Sequence, residues 1–440
     1  MTPAQVEQLL LKMARVVTSA LGIYRPITVA IVAFRIAFAY LRQRNAAVGT
    51  PVAIIDHNFI QDIEMLKVAG GEAEINLISF SYLPLYKLAE GHFPAEIRDG
   101  SYMVPEMEPC KTGYRKVLAR LLQLWKPEKR ISCFIAPSDS FFWIRELIDL
   151  MKERGIPTIV VDKEGTISPH SMEHHSSQIR SFYPFISDYI MVWSERQKSF
   201  WQKTGAVIDN IFVAGQPRSD FFFKRDSWLP TDKLPFTCGQ TLVLYFTFET
   251  DAYAPTPGDH IWSDLRNDID TALIILAKKH ADVTFVIKTH PQQQDRLLVD
   301  SKFTAAGQKN IVVCHGAELS RHLIVRADVV VGFQTTALIE AMLAGKRVVY
   351  TEWSDAVREN LHNLIPLHEA PGIDIARNKH ELEQLLDKTL TNKEFAVTTE
   401  TMTMRKPFID IFIPNADGNV SNRVMRQVHA IIENHNEGRA

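Results

Sequence analysis

Short runs of β-branched and other apolar residues alternate along the chain with longer stretches in which apolar residues recur at helical spacing. Repeated strand, helix, strand order is typical of a parallel sheet that is covered on both faces. The pattern weakens over residues 221–240, which are rich in proline, and then resumes. The sequence therefore predicts an α/β protein with two Rossmann-like βα domains that face each other across a cleft. The predicted strands are 52–56, 75–80, 131–136, 158–162, 189–193, 211–215, 241–248, 283–291, 310–316, 327–333 and 346–352.

The break divides the predicted organisation into four parts. Residues 1–50 form a basic amphipathic segment, 51–235 an amino-terminal Rossmann-like acceptor domain, and 236–405 a carboxyl-terminal Rossmann-like donor-binding domain. A last helical region, 406–440, is expected to return to the amino-terminal domain. The length of 440 residues suits this division, because single hydrophobic cores stop growing at about 250–300 residues.

Composition excludes several classes of protein. A hydrophobic content of 46% with 23% charged residues indicates a folded chain rather than a disordered one. The formal net charge of -2 argues against a nucleic-acid-binding surface, which would show a basic excess. The four cysteines are scattered without a CxxC pair, so neither a disulfide framework nor a zinc knuckle is predicted.

The first 50 residues are unusually basic, with six Lys or Arg against one acid, Glu7. Their longest uncharged apolar run is about half of the roughly 20 residues that span a bilayer. A cytoplasmic protein is predicted, and the simpler interpretation of the segment is a scaffold helix that packs on the body of the protein. The alternative is peripheral attachment of residues 1–45 to the inner face of the cytoplasmic membrane.

In open parallel sheets, ligands bind beyond the carboxyl ends of the strands. The helix that follows the predicted strand 327–333 opens with Gln334, Thr335 and Thr336. Free N–H groups and the positive dipole end of such a helix bind phosphate, and threonine hydroxyls add donors. The alternative is plain capping of the helix by a threonine.

A second strand ends in the sequence VIKTHP, which places Lys288 and His290 at the same predicted edge. The proline holds the residue before it in an extended conformation, so His290 has a fixed geometry. An imidazole there can donate to a diphosphate or a leaving group. Taken alone, the histidine would more simply be structural.

Acidic residues follow two further strands. Asp162 and Glu164 lie in VVDKEG, where a carboxylate can deprotonate an acceptor hydroxyl or act as a nucleophile, although an acid of a turn fits equally well. Arg218 and Asp220 lie in AGQPRSD, where the arginine can bind a phosphate or an acidic sugar. Asp220 is either catalytic or a helix cap.

A metal site is not predicted. His170, His174 and His175 cluster in PHSMEHH, but no acid stands at a suitable spacing and no HExxH is present, so a polar loop is favoured. The chain also lacks GxGxxG, GxxxxGK[ST] and GxSxG, which disfavours the common kinase, ATPase, dehydrogenase and hydrolase sites.

Several of these stretches resemble a known group of enzymes. FVIKTHP, ADVVVGFQTTALIEAMLAGKRVVYTE and DGNVSNRVMRQVHAII are similar to the donor-binding half of bacterial GT-B enzymes of surface polysaccharide assembly. That group includes capsule and O-antigen glycosyltransferases, Kdo transferases and the CDP-glycerol glycerophosphotransferases of teichoic acid synthesis. DKEG and GQPRSD resemble the DEEG and GNPRxD elements of surface carbohydrate biosynthesis proteins, so the resemblance extends over about 160–440.

The resemblance implies roles for individual residues. The activated donor would be bound at His290, Gln334, Thr335, Thr336 and Glu340, and Glu164 and Asp220 would supply the acid–base or nucleophilic chemistry. The strand-end positions alone add Arg218 and Lys288 as donor-binding cations and His290 as a third catalytic residue. The sequence departs from the family pattern at two places, which bear on the identity of the donor and of the catalytic residue. Gln-Thr stands where Ser-Ser often opens the phosphate-binding helix, and Lys163 stands where DEEG has its first Glu.

The expected function is transfer of a sugar from a nucleotide-sugar donor to a growing cell-surface polysaccharide or a lipid-linked glycan acceptor. No cofactor or metal is expected, because a helix end with His, Lys or Arg can neutralise the leaving phosphate. Three alternatives are a glycerophosphate transferase of teichoic-acid type, a UDP-sugar 2-epimerase and a non-catalytic carbohydrate-binding member.

Overall fold

A computed structural model describes Arg35 and residues 49–438, apart from 58, 98, 166, 225–233, 235, 237–240, 252–258, 291–292 and 317–318. The predicted basic segment 1–50 thus lies outside the described residues, except for Arg35, Gly49 and Thr50. Within the described part of the chain, no helix is both long enough and apolar enough to cross a membrane.

The chain forms two compact units. The first contains the described residues up to Glu164, then Glu173–Pro217 and the residues from Ser421 onward, and the second contains Gly165–Met172 and Arg218–Val420. The division after Pro217 comes before the predicted domain boundary at 235. The end of the chain from Ser421 belongs to the first unit.

The first unit is built on a six-stranded sheet with the order β2-β1-β3-β4-β5-β6, in which every neighbouring pair is parallel. The strands are β1 Thr50–Asp56, β2 Ile75–Ser81, β3 Cys133–Ala136, β4 Thr158–Val161, β5 Tyr189–Val192 and β6 Ile211–Val213.

A second six-stranded parallel sheet, with the order β12-β11-β10-β7-β8-β9, forms the second unit. Its strands are β7 Thr241–Phe246, β8 Val283–Lys288, β9 Ile311–Cys314, β10 Val329–Gly332, β11 Arg347–Thr351 and β12 Asp374–Ala376.

The described helices join and cover these strands. They are α1 Ile60–Glu72, α2 Leu83–Glu90, α3 Glu108–Trp125, α4 Arg145–Glu153, α5 Met172–Phe182, α6 Glu195–Lys203, α7 Ser263–Lys279, α8 Arg296–Ala305, α9 Ser320–Arg326, α10 Thr336–Leu343, α11 Asp355–Asn360, α12 Lys379–Asn392, α13 Thr399–Phe412 and α14 Val420–Glu437.

Each sheet is buried on both faces, as the continuous apolar runs predict. In β1, Val52 and Ile54 pack into one core cluster while Ala53 and Ile55 pack into another, because successive side chains of a strand point to opposite faces. Met425 and Val428 of α14 complete the cluster around Val52. This packing explains why the carboxyl-terminal helix belongs to the first unit.

Every predicted strand is present, with ends shifted by a few residues, and among the described residues the prediction missed one strand, the three-residue β12. The spacing of apolar residues over 138–155 predicts a helix with Ser138 or Asp139 as a possible cap and Gly155 as its stop. The predicted start was wrong, since α4 begins at Arg145. The Asp139 carboxylate instead accepts hydrogen bonds from the backbone N–H groups of Ile186 and Ser187, at 2.8 and 2.9 Å. The predicted stop is confirmed: Gly155 follows the helix with a φ of 67°.

Candidate functional site

The predicted donor-binding residues of the second unit gather at the carboxyl edge of its sheet. Lys288 ends β8 and His290 follows it, while Thr335 and Thr336 follow β10. In the sheet, β7 pairs with both β8 and β10, so the two strand ends lie on the same edge, one strand apart. All six strands are parallel, and their carboxyl ends therefore meet where ligands bind in open α/β sheets.

His290 and Lys288 have different environments although they are two residues apart. His290 is exposed, and its backbone N–H donates to Oε1 of Gln293 at 3.1 Å. Lys288 is 1% exposed, and its ammonium donates to the backbone oxygen of Thr289 at 2.6 Å. His290 is thus placed to meet a ligand, whereas Lys288 lies in the interior. Pro291, which was expected to fix His290, lies outside the described residues.

A hydrogen-bonded chain of side chains runs next to His290 in the sequence and joins Thr289, His315 and Asp300. Oγ1 of Thr289 lies 2.7 Å from Nδ1 of His315, and Nε2 of His315 lies 3.1 Å from a carboxylate oxygen of Asp300. Thr289 is buried, while the side chains of His315 and Asp300 are about two-fifths exposed. These residues hold the strand end that carries His290. Asp300 lies on α8, where no sequence signal marks it.

The amino terminus of α10 is capped by Thr335, whose hydroxyl accepts the backbone N–H of Ala337 at 3.3 Å. Thr335 and Thr336 are both half-buried. The capping alternative is therefore correct for Thr335. The backbone N–H of Leu338 donates to the backbone oxygen of Thr335 at 3.2 Å. A phosphate contact at this turn stays a prediction.

Gln334 uses its amide within the fold. Its Oε1 accepts the backbone N–H of Ile365 at 2.7 Å, and its Nε2 donates to the oxygen of Ile365 at 3.1 Å and to the hydroxyl of Tyr350 at 2.7 Å. Both backbone groups of Ile365 are thus paired by one side chain. This geometry favours a structural role for Gln334 over the predicted donor contact.

Arg218 and Glu340 were predicted separately and form an ion pair. Nε of Arg218 lies 2.8 Å from Oε1 of Glu340, and their side chains are 16% and 6% exposed. Glu340 lies on α10, the helix whose amino terminus was predicted to bind phosphate. The pair therefore connects the segment after β6 to that helix.

Asp220 is fully buried within a 3₁₀ turn, Pro217–Phe222. One of its carboxylate oxygens accepts the backbone N–H of Val420, the first residue of α14, at 2.9 Å. A carboxylate at a helix amino terminus pairs an N–H that the helix itself leaves unbonded. The geometry favours the helix-cap alternative for Asp220 and leaves it no exposed atom for catalysis.

In the first unit, Glu164 extends from a loop that is fixed on both sides. Its backbone N–H donates to Oδ1 of Asp162 at 3.1 Å, and its backbone oxygen accepts from Nε2 of Gln197 at 3.2 Å. The Glu164 side chain is 77% exposed, with Nζ of Lys163 at 3.3 Å. An exposed carboxylate on a fixed loop suits a proton-accepting role.

Asp162 is the anchor of that loop. Its carboxylate also accepts from Nε2 of Gln197 and Nε1 of Trp201, at 3.0 and 3.1 Å. Burial raises the pKa of Asp162 to about 7, an effect that the hydrogen bond from Glu164 and the one from Trp201 partly offset.

The histidines of PHSMEHH lie on the surface, with His170, His174 and His175 all exposed. Nowhere in the described ranges do three His, Cys, Asp or Glu residues gather so that they could hold a metal ion. Whether the protein works without a metal stays a prediction.

Comparison with known proteins gives the chain a family. The sequence profile described as CDP-Glycerol:Poly(glycerophosphate) glycerophosphotransferase matches residues 172–430, more than half of the 440. This protein belongs to the CDP-glycerol glycerophosphotransferase family. The family is one of transferases, and its profile covers Arg218, His290 and the Gln334–Glu340 segment but begins after Glu164. No curated protein matches the chain.

Solved structures show that the fold of this family member is that of the GT-B class. Similar structures include Staphylococcus aureus MnaA with UDP (12% identity, TM-score 0.54, covering 87% of this chain and 97% of that one). A putative UDP-N-acetylglucosamine 2-epimerase from Listeria monocytogenes gives 13% identity, a TM-score of 0.52, and 88% and 97% coverage. The UDP-N-acetylglucosamine 2-epimerase from Rickettsia bellii gives 14% identity and a TM-score of 0.51, and the match covers 89% of this chain and 98% of that one. At such identities the likeness concerns the fold alone.

Proposed function

We propose that this protein transfers a glycerophosphate-type group from a CDP-activated donor to a hydroxyl of a cell-surface glycan, and so forms a phosphodiester. The match of the glycerophosphotransferase family over residues 172–430 carries this proposal. The exposed His290, which lies at the same edge of the second sheet as the start of α10, supports it, because an imidazole and a helix amino terminus suit a diphosphate.

The reaction is a displacement at phosphorus. The acceptor hydroxyl oxygen bonds to the donor phosphorus that bears the glycerol, the bond from that phosphorus to the bridging oxygen breaks, and CMP leaves. The hydroxyl proton passes to a base, for which the exposed carboxylate of Glu164 is our candidate. His290 and the first turn of α10 stabilise the charge on the leaving phosphate.

Glycosyl transfer from a nucleotide sugar is the second candidate. DKEG and GQPRSD, which resemble elements of surface carbohydrate biosynthesis proteins, favour it, and DKEG lies before the residues that the family profile matches. In this version the acceptor oxygen bonds to the anomeric carbon and no phosphorus enters the product. The 2-epimerase alternative has only the shared fold in its support.

The fate of phosphorus distinguishes these reactions. The purified protein is incubated with CDP-glycerol labelled at the glycerol-bearing phosphorus, and separately with UDP-, GDP- and CMP-sugars, with envelope glycan as acceptor. Label in the glycan with release of CMP is expected. Sugar incorporation without phosphorus would establish the second candidate, and no incorporation from any donor would reject both.

The same assay tests the residues. Glu164→Gln is expected to lower turnover at least about 100-fold with CDP-glycerol binding unchanged, since the amide cannot accept the proton. His290→Ala is expected to lower turnover by a similar factor. His380→Ala, on the exposed face of α12, is the matched control and should keep full turnover. Full activity of Glu164→Gln would remove Glu164 from the mechanism.

Residues 1–45 are proposed to attach the protein peripherally to an anionic membrane, on the sequence alone. Deletion of these residues should abolish co-sedimentation with phosphatidylglycerol vesicles, and unchanged co-sedimentation would reject the attachment.

A further inference from the structure

Aromatic residues gather at the carboxyl edge of the first sheet. In the second sheet, His290 lies at the corresponding edge. Four neighbouring strands of the first sheet, in the order β2-β1-β3-β4, end side by side. The segments that follow them bring together Tyr82 after β2, His57 after β1, Phe141 after β3 and Lys163 after β4. Parallel strands place all four segments at the edge where open α/β sheets bind ligands.

The imidazole of His57 is the centre of this cluster. The ring centroids of Tyr82 and Phe141 lie 4.3 and 4.5 Å from that of His57, both edge-on, and Trp143 lies at 5.5 Å. Phe141 stacks on Trp143 at an interplanar angle of 8°. Tyr82 and Phe141 are only half-buried, so this aromatic cluster reaches the surface of the unit.

His57 is 8% exposed, yet its Nδ1 has no hydrogen-bond partner among the residues that the structure describes. Buried polar atoms in proteins are nearly always paired, so an unpaired one needs an explanation. Burial, and then the charge of Lys163, lower the pKa of His57 to about 4. The ring is therefore neutral at pH 7 and offers one donor and one acceptor nitrogen.

Charged groups border the cluster on one side. Nζ of Lys163 lies 5.4 Å from the centroid of Phe141 and 3.3 Å from the carboxylate of Glu164. Half-buried aromatic rings, a neutral polar group and a charged rim match the usual lining of a small-molecule site, where apolar walls carry a few polar groups that fix orientation.

We propose that His57, Tyr82 and Phe141 form the subsite that binds a sugar ring of the acceptor glycan. The apolar face of the ring packs on Tyr82 and Phe141, and one of its hydroxyls pairs with His57. Glu164 stands beside this subsite, where the proposed function requires a base for an acceptor hydroxyl. The assignment rests on the proposed function for the identity of the ligand as an acceptor, but sugar binding can be measured without turnover.

The test measures binding of sugars to the full chain by saturation-transfer NMR and by tryptophan fluorescence. The probes are maltotetraose, chitotetraose, cellotetraose and tetragalacturonate. At least one is expected to bind, and His57→Phe, which keeps a ring in the cluster, should weaken that binding at least 10-fold. Tyr82→Ala should weaken it similarly, whereas Tyr82→Phe should not. His175→Ala, an exposed histidine of the same unit, is the control.

Binding of CDP-glycerol, measured in parallel, separates the two proposals. Loss of sugar binding in His57→Phe with CDP-glycerol binding intact supports the subsite. Failure of the wild-type chain to bind any probe, or equal binding by His57→Phe, overturns it and leaves the proposed function standing. Absence of CDP-glycerol binding in the wild-type chain would instead count against the proposed function.

Discussion

Arg218 and Glu340 form a largely buried ion pair, with 2.8 Å between Nε and Oε1, that ties the GQPRSD segment to helix α10. Both residues are predicted to bind the donor. Their mutual pairing fixes the position of the helix whose first turn is proposed to bind phosphate. The geometry therefore favours a positioning role for both residues.

Removing either partner of this pair should destabilise the second unit. We expect Glu340→Gln or Arg218→Ala to lower the free energy of unfolding by about 3 kcal/mol, because the remaining charge stays buried without its partner. Urea unfolding followed by tryptophan fluorescence measures the loss. Arg358→Ala, which breaks the exposed pair with Asp355, is the control and should cost less than about 0.5 kcal/mol. Equal effects of the two changes would contradict the structural role.

Asp220 should tolerate loss of its charge but not loss of its oxygen. In Asp220→Asn the remaining amide oxygen can still accept the N–H of Val420, so turnover is expected to stay within about threefold of wild type. Asp220→Ala should lower the free energy of unfolding by about 1–2 kcal/mol, as loss of a helix cap does. Turnover assays with denaturant unfolding check both variants, and a 100-fold slower Asp220→Asn would restore a catalytic role.

Gln334 should affect stability more than donor binding. Gln334→Ala removes the partner of the Ile365 N–H, while the Ile365 oxygen still accepts the N–H of Leu367 at 2.7 Å. We expect a loss of about 1–3 kcal/mol in the free energy of unfolding, because a buried donor is left unpaired. The dissociation constant of CDP-glycerol should change less than about threefold. Unfolding and calorimetric titration on the same preparation measure the two effects. A large rise in the dissociation constant with unchanged stability would favour the original donor assignment.

Asp162 should give the protein a specific dependence of stability on pH. Its folded-state pKa of about 7 lies above the ordinary value of 3.8, so the folded state binds the proton more tightly than the unfolded state. The stability contributed in this way is complete below about pH 4 and is lost as the pH rises through about 7. The free energy of unfolding should therefore fall between pH 5 and pH 8 more steeply in wild type than in Asp162→Asn. Parallel slopes would show that Asp162 titrates normally.

The sequence by itself determined the two parallel sheets. Continuous apolar runs at regular intervals specify strands buried on both faces, and the turn residues between them bound the helices. It also determined which residues follow the strand ends, and hence that His290, Thr335 and Glu164 stand at the carboxyl edges of the two sheets. The prediction missed β12 because a strand of three residues is too short to show an alternation of apolar and polar positions.

The tertiary structure decided what those side chains do. The linear motifs predict that Gln334 binds a ligand and that Asp220 is catalytic. Their hydrogen-bond partners, Ile365 and Val420, are distant in the chain and come into contact with them only when the chain folds. His57 showed the reverse, since the sequence marks it only as a polar residue at the end of a predicted strand. The segments after β2 and β3 surround it with aromatic rings, because hydrogen-bond partners and burial depend on contacts that no local pattern encodes.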